Sequence, residues 1–135
     1  AGGSLHPASK DTVDKKMHYV YQDGKTVFKF AVKNMADVSK RILDRNQLTG
    51  DDIKLFIPHQ ANQRIIDAAA KRCGLADEKV FININRYGNT TAGTIPIALD
   101  EAVESKRLKK DDILLLAAFG GGFTWGSMLI QWSNK

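Results

Sequence analysis

Three short apolar runs, at residues 53–57, 80–84 and 113–119, alternate with stretches whose apolar residues recur at helical spacing. That alternation limits the fold more than any other feature of the chain. Short apolar runs bounded by turn signals suit buried strands, and strands separated by helices suit crossover units around a parallel sheet. The expected fold class is α/β. A first helix is predicted over 27–46, where Phe28, Ala31, Val32, Met35, Val38, Ile42 and Leu43 fill one arc. Lys29, Lys33, Asp37, Lys40 and Asp44 fill the other. Phe30 falls on the polar arc, either as an exposed ring or as a contact. A second helix is predicted over 61–72 with Gly74 as its left-handed cap. A third opens between Thr90 and Thr94, tolerates Pro96 in its first turns and runs to about Lys106. After the turn at 120–123, a last strand over 125–132 would lie antiparallel to 113–119, a mixed edge on a mostly parallel sheet with covering helices. Residues 1–25 read as a loop or arm with one short strand at 17–21, stopped by Asp23-Gly24. Residues 26–135 carry the helix-strand-helix-strand-helix-strand-strand core.

With 135 residues, 43% of them hydrophobic and 26% charged, the chain suits one domain with a real core. No run reaches the roughly 18 apolar residues of a membrane span, so no membrane partner is expected. One cysteine excludes an internal disulfide and a Cys-rich zinc site, and a cytoplasmic setting is the expectation. The net charge of +5 favours anionic partners. The bases are spread over several helices with acids among them, which argues against nucleic acid. The opening residues Ala1-Gly2-Gly3-Ser4 show neither an initiator Met nor a signal pattern.

Two strings carry chemistry. Pro58-His59-Gln60-Ala61-Asn62 and Tyr87-Gly88-Asn89-Thr90-Thr91 each follow an apolar run and precede a helical pattern. Ligands of open α/β sheets bind at that rim, so the neutral donors His59 and Asn89 can face one cleft and converge on one oxygen. The turn at 119–123 follows a third strand, and its three glycines let backbone N–H groups approach a substrate closely. Each feature also has a plain structural reading: a satisfied histidine, an asparagine in a turn or N-cap, a hairpin. No nucleophile stands beside them. Cys73 falls in the middle of the second helix's apolar arc, where its thiol should be buried and not acidified. His6 and His18 belong to no motif.

Read as whole strings, these motifs resemble β-ketoacyl-acyl-carrier-protein synthase III, the condensing enzymes that start bacterial fatty-acid synthesis. Ala98-Leu99-Asp100-Glu101-Ala102 and Ala118-Phe119-Gly120-Gly121-Gly122-Phe123-Thr124-Trp125-Gly126 extend the likeness. It runs along nearly the whole chain and corresponds to the C-terminal portion of that family, so Ala1-Gly2-Gly3-Ser4 reads as mid-chain sequence. The resemblance implies the C-terminal half of a thiolase-like fold, a homodimer and a Cys-His-Asn triad whose Cys lies in the N-terminal portion. His59 and Asn89 match the other two members. It further implies that Phe119 helps expel carboxylate, that the Gly121 N–H joins an oxyanion hole, and that Asn62 and Phe28 line a pantetheine tunnel. Acidic acyl-carrier protein would dock on Gln60, Ala61, Arg64, Lys71 and Arg72, with Lys29 a possible addition. On the second helix, Arg64, Lys71 and Arg72 do share one side by rotation. The implied substrates are a coenzyme A thioester, acetyl-CoA first, and malonyl-carrier protein, with no permanently bound cofactor.

Alternatives with the same motifs are a related condensing enzyme with another product, a non-catalytic carrier-protein binding module, and an anion-binding domain built on the glycine turn. The last is disfavoured because Gly120-Gly121-Gly122 leads into a strand where phosphate loops lead into a helix. Lacking a nucleophile, the chain is expected to need the N-terminal portion of the same enzyme.

Overall fold

The computed structural model describes residues 1–133, and positions 134–135 of the expected core segment lie outside the described residues. Helices α1 (Lys10–Asp14) and α2 (Gly24–Arg45) lead to strand β1 (Leu55–Pro58). Helices α3 (Gln63–Arg72), α4 (Ile84–Tyr87) and α5 (Thr94–Glu104) follow, then strands β2 (Ile113–Gly120) and β3 (Thr124–Gln131). The sheet order is β1-β2-β3. β1 runs parallel to β2, from Leu55 opposite Leu114 to Pro58 opposite Ala117. β3 returns antiparallel, from Gly120 opposite Thr124 to Ile113 opposite Gln131, and forms one edge of the sheet.

Helices cover both faces, and the two-residue repeat of the strands explains how. Phe56, Leu115 and Ala117 pack with Ala31, Met35, Leu43, Ile66 and Ala69 of α2 and α3. Leu55, Ile57 and Leu114 point the other way, onto Ala98 and Ala102 of α5. All four residues of β1 are buried, as a parallel strand between two helical layers requires. α2 starts three residues earlier than its apolar arc suggests, because the Asp23 carboxylate accepts from the N–H groups of Lys25 and Thr26. α3 starts later than expected, at Gln63, because Asn62 caps it by accepting from the Arg64 N–H at 3.0 Å.

Two expected strands do not form. Residues 17–19 are turn and bend and 20–21 have no regular structure, with Val20 97% and Tyr21 91% exposed. A β-prone pentapeptide needs a partner strand, and among the described residues this one has none. At 80–84 the chain makes only a parallel bridge from Val80 to Phe56 and one bond from the Phe81 N–H to the Phe56 carbonyl. Beyond that, Gln60 Oε1 takes the N–H groups of Asn83 and Ile84 at 3.1 and 3.2 Å, and Ile84 turns into α4. A buried side chain has replaced the neighbouring strand.

Candidate active site

The carboxyl ends of β1 and β2 meet a cleft of about 870 Å³ whose walls include His59, Ala61, Asn89, Phe119 and Gly121. This volume is ordinary for a small-molecule site. His59 follows β1 directly and is tied to the sheet through its N–H, which donates to the Ala117 carbonyl at 2.7 Å. Its imidazole is half-buried, and that desolvation lowers its basicity below the usual 6.5, favouring the neutral ring. Nδ1 lies 2.6 Å from Oγ1 of Thr94, a buried residue that opens α5. Asn89 stands on the exposed loop after α4. Its Oδ1 accepts from the Thr91 N–H at 2.9 Å. With the carbonyl end of the amide so engaged, the Nδ2 hydrogens remain for a ligand.

The loop carrying Asn89 is held from two sides. Gln60, with no solvent exposure, donates from Nε2 to the carbonyls of Pro58 and Phe81 and accepts from Asn83 and Ile84. Glu101 on α5 accepts from Tyr87 Oη and Arg86 at 2.6 Å and from Asn83 Nδ2 at 2.9 Å. The Tyr87 bond is foremost in keeping the Glu101 carboxyl below the usual carboxylate range. Gln60 was expected on the carrier-protein surface. It is instead an interior brace, because four buried backbone groups need one side chain able to serve as both donor and acceptor.

The remaining expected site residues divide. Ala61 faces the cleft and is half-buried. Asn62 is exposed and caps α3, and Phe28 lies outside the cleft wall, beneath the Arg64 guanidinium at 4.8 Å. Arg64, Lys71 and Arg72 are all exposed on α3, but Arg72 is ion-paired with Asp37 of α2. Lys29 is exposed on α2. Cys73 is buried, and burial is the main cause that pushes its thiol up. Phe119 belongs to an aromatic group that sequence reasoning missed: its ring is 5.2 Å from Phe123 and stacks on Trp125 at 6.5 Å. Phe30 joins it, 5.3 Å from Phe123, so the ring on the polar arc of α2 is a contact. Val20, Tyr21 and Gln22 of the arm also line the cleft. Thr94 gave no signal, since it acts 35 residues away from His59.

Residues 43–132 match the family model described as 3-oxoacyl-[acyl-carrier-protein] synthase III C terminal. The chain belongs to this family. It is 58% identical, over 98% of its length, to the β-ketoacyl-[acyl-carrier-protein] synthase III of Chlorobium phaeobacteroides, and spans 40% of that relative. Among solved structures, the synthase III of Thermus thermophilus is 48% identical, with a TM-score of 0.80 over 84% of this chain and 35% of that one. The Aquifex aeolicus enzyme is 43% identical, with a TM-score of 0.82 over 86% of this chain and 38% of its own. The α/β architecture is thus that of the synthase III fold, in its C-terminal part. No helix among the described residues is long and apolar enough to cross a membrane.

Proposed function

We propose that this chain supplies the His and Asn donors for a decarboxylative Claisen condensation between an acyl-CoA starter, acetyl-CoA first, and malonyl-acyl-carrier protein. It would do so as the C-terminal portion of a cytoplasmic, homodimeric synthase, with its core from α2 onward and the residues before α2 as an arm. The nucleophilic cysteine comes from the rest of the enzyme. Cys73 does not suit that role, since its thiol is buried and its pKa raised. In the first half-reaction that external thiolate takes the acyl group and releases coenzyme A. In the second, the bond between the malonyl methylene and its carboxylate breaks and CO₂ leaves. The electron pair moves through the methylene carbon onto the thioester oxygen. The resulting enolate attacks the acyl-cysteine carbonyl, and the cysteine thiolate departs.

The observation that carries this reading is that His59 and Asn89 line the same cleft, with Asn89 Oδ1 already occupied from within. His59 Nε2–H and Asn89 Nδ2–H then stabilise the developing enolate oxygen without either residue ionising. The Phe119 ring offers the carboxylate an apolar neighbour that favours its loss as CO₂, and the Gly121 N–H joins the oxyanion hole for the acyl carbonyl. Phe28 and Asn62, both outside the cleft lining, would meet the pantetheine arm on its way in. Carrier protein docks on Arg64 and Lys71, with Lys29 and Arg72 at the margin.

One preorganised donor of this kind is worth about 10²–10³ in rate. In the enzyme assembled with its N-terminal portion, His59→Ala and Asn89→Ala should each lower malonyl-thioester decarboxylation by about that factor. Acylation of the partner cysteine should persist. Parental decarboxylation in either variant removes the assigned role. An assembled parent that binds carrier protein yet never decarboxylates malonyl thioester would make this a binding module instead.

A further inference from the structure

The two nitrogens of His59 differ in their surroundings. Nδ1 has Thr94 Oγ1 at 2.6 Å, while Nε2 has no partner among the described residues. A neutral imidazole carries one N–H, so the nitrogen that accepts from a neighbour leaves the proton on the other. Which nitrogen that is depends on Thr94.

Its hydroxyl has one proton and two candidate acceptors, His59 Nδ1 at 2.6 Å and the Thr91 carbonyl at 3.1 Å. The lengths separate the cases. Bonds from N–H groups to oxygen run from about 2.7 to 3.2 Å and bonds from hydroxyls to oxygen from about 2.5 to 3.0 Å. At 2.6 Å the ring contact is the shorter of the two and lies below the range for a ring N–H donating to oxygen. At 3.1 Å the carbonyl contact is long for a hydroxyl donor. The Thr91 carbonyl is also served already, by the backbone N–H of Thr94 itself. The ring nitrogen has no other donor among the described residues.

We propose that Thr94 is a positioning residue for His59: its buried hydroxyl donates to Nδ1 and so fixes the ring proton on Nε2, the nitrogen left for the cleft. Thr94 is the first residue of α5, so the ring lies at the positive end of an eleven-residue helix. That placement disfavours a second proton, in the same sense as burial. The inference rests on the condensation reading for its consequence, since an enolate oxygen needs a donor and a bare Nε2 lone pair would repel it.

Two readouts test it in the assembled, full-length enzyme. With ¹⁵N-labelled histidine, the two-bond N–H correlation pattern reports the tautomer directly, and the His59 signals are those lost in His59→Ala. The parent should show the Nε2–H form. An Nδ1–H pattern overturns the proposal whatever the activity. Thr94→Val, nearly the same shape without the hydroxyl, should lower the kcat of malonyl-thioester decarboxylation by about 10–100-fold, the cost found when the group that orients a metal-bound histidine is lost. KM should be unchanged, and Thr94→Ser should restore most of the rate. Thr94→Val at the parental rate, or Thr94→Ser as poor as Thr94→Val, also overturns it. If Thr94→Val fails to fold, the parental tautomer and the serine variant still decide. An Nε2–H pattern in a parent that does not decarboxylate would sink the condensation reading and leave the Thr94–His59 assignment intact.

Discussion

In the proposed condensation His59 would work through a proton kept on one nitrogen and a charge not acquired. Burial holds its basicity below the usual 6.5. A folded-state pKa below the unfolded one means that the unfolded chain takes up the proton first. The stability associated with the neutral ring is therefore intact above 6.5 and lost as pH falls through that value, levelling only below the folded pKa. An NMR titration of the His59 Cε1–H in the assembled enzyme should have its midpoint below 6.5, and a midpoint at or above it would contradict this. Asn89 needs no such protection, since an amide does not titrate. Its orientation instead depends on the Thr91 N–H, presented by a residue whose φ of 53° is unusual for a β-branched side chain. The loop accepts local backbone strain where the site needs a directed group.

At the scale of elements, Gln60 is the residue on which the site's two halves depend. Gln60→Ala would take the side-chain partner from two carbonyls and two N–H groups, all but the half-buried Ile84 N–H in the interior. Each buried orphan costs about 1–3 kcal/mol, so a loss of about 3 kcal/mol or more is expected by chemical denaturation of the assembled protein. A loss within about 1 kcal/mol of the parent would make the brace dispensable. Gly50 shows a tighter constraint of another kind: a Cβ there would sit 2.5 Å from the Gly74 carbonyl oxygen, so the turn before β1 and the end of α3 meet backbone to backbone. On the outer side of α3, Arg64 rests on Phe28 while Arg72 is engaged with Asp37. Arg64→Glu should weaken carrier-protein use and leave acyl-CoA priming largely intact, and an unchanged response to carrier protein would remove that surface from the account. These elements also show what could be read in advance. The apolar arc of α2 and the hairpin of β2 and β3 follow from periodicity, because nothing else competes for their backbone groups. The stretch at 80–84 has an equally strand-like composition, yet the N–H groups of Asn83 and Ile84 go to a glutamine more than twenty positions away. The stretch at 17–21 fails for want of a partner. His59 and Asn89 stood out through whole motifs, whereas Thr94, one threonine among several, acquires meaning only once α5 is folded against β1.

The molecule as a whole carries more surface than its size warrants. A compact monomer of this mass exposes about 7,000 Å², and this chain exposes 8991 Å². The difference is comparable to an entire stable protein–protein interface. Part of it is the arm before α2, where α1 buries nothing and Leu5 is 90% exposed. Part is β3, where Trp125 and Met128 are both exposed. The 135-residue chain is therefore expected to adopt a stable fold only together with the N-terminal portion. A well-dispersed ¹H–¹⁵N spectrum from the purified chain alone would contradict that expectation. β3 has one more consequence. Its eight residues, Thr124–Gln131, include no charge and no proline, the devices by which natural sheets blunt a flank that must live in water. Kept by itself, that flank is a template onto which a second copy can add strand to strand. Clumping on storage is then the expected behaviour of the bare piece, and a complementary strand laid along β3 is its remedy.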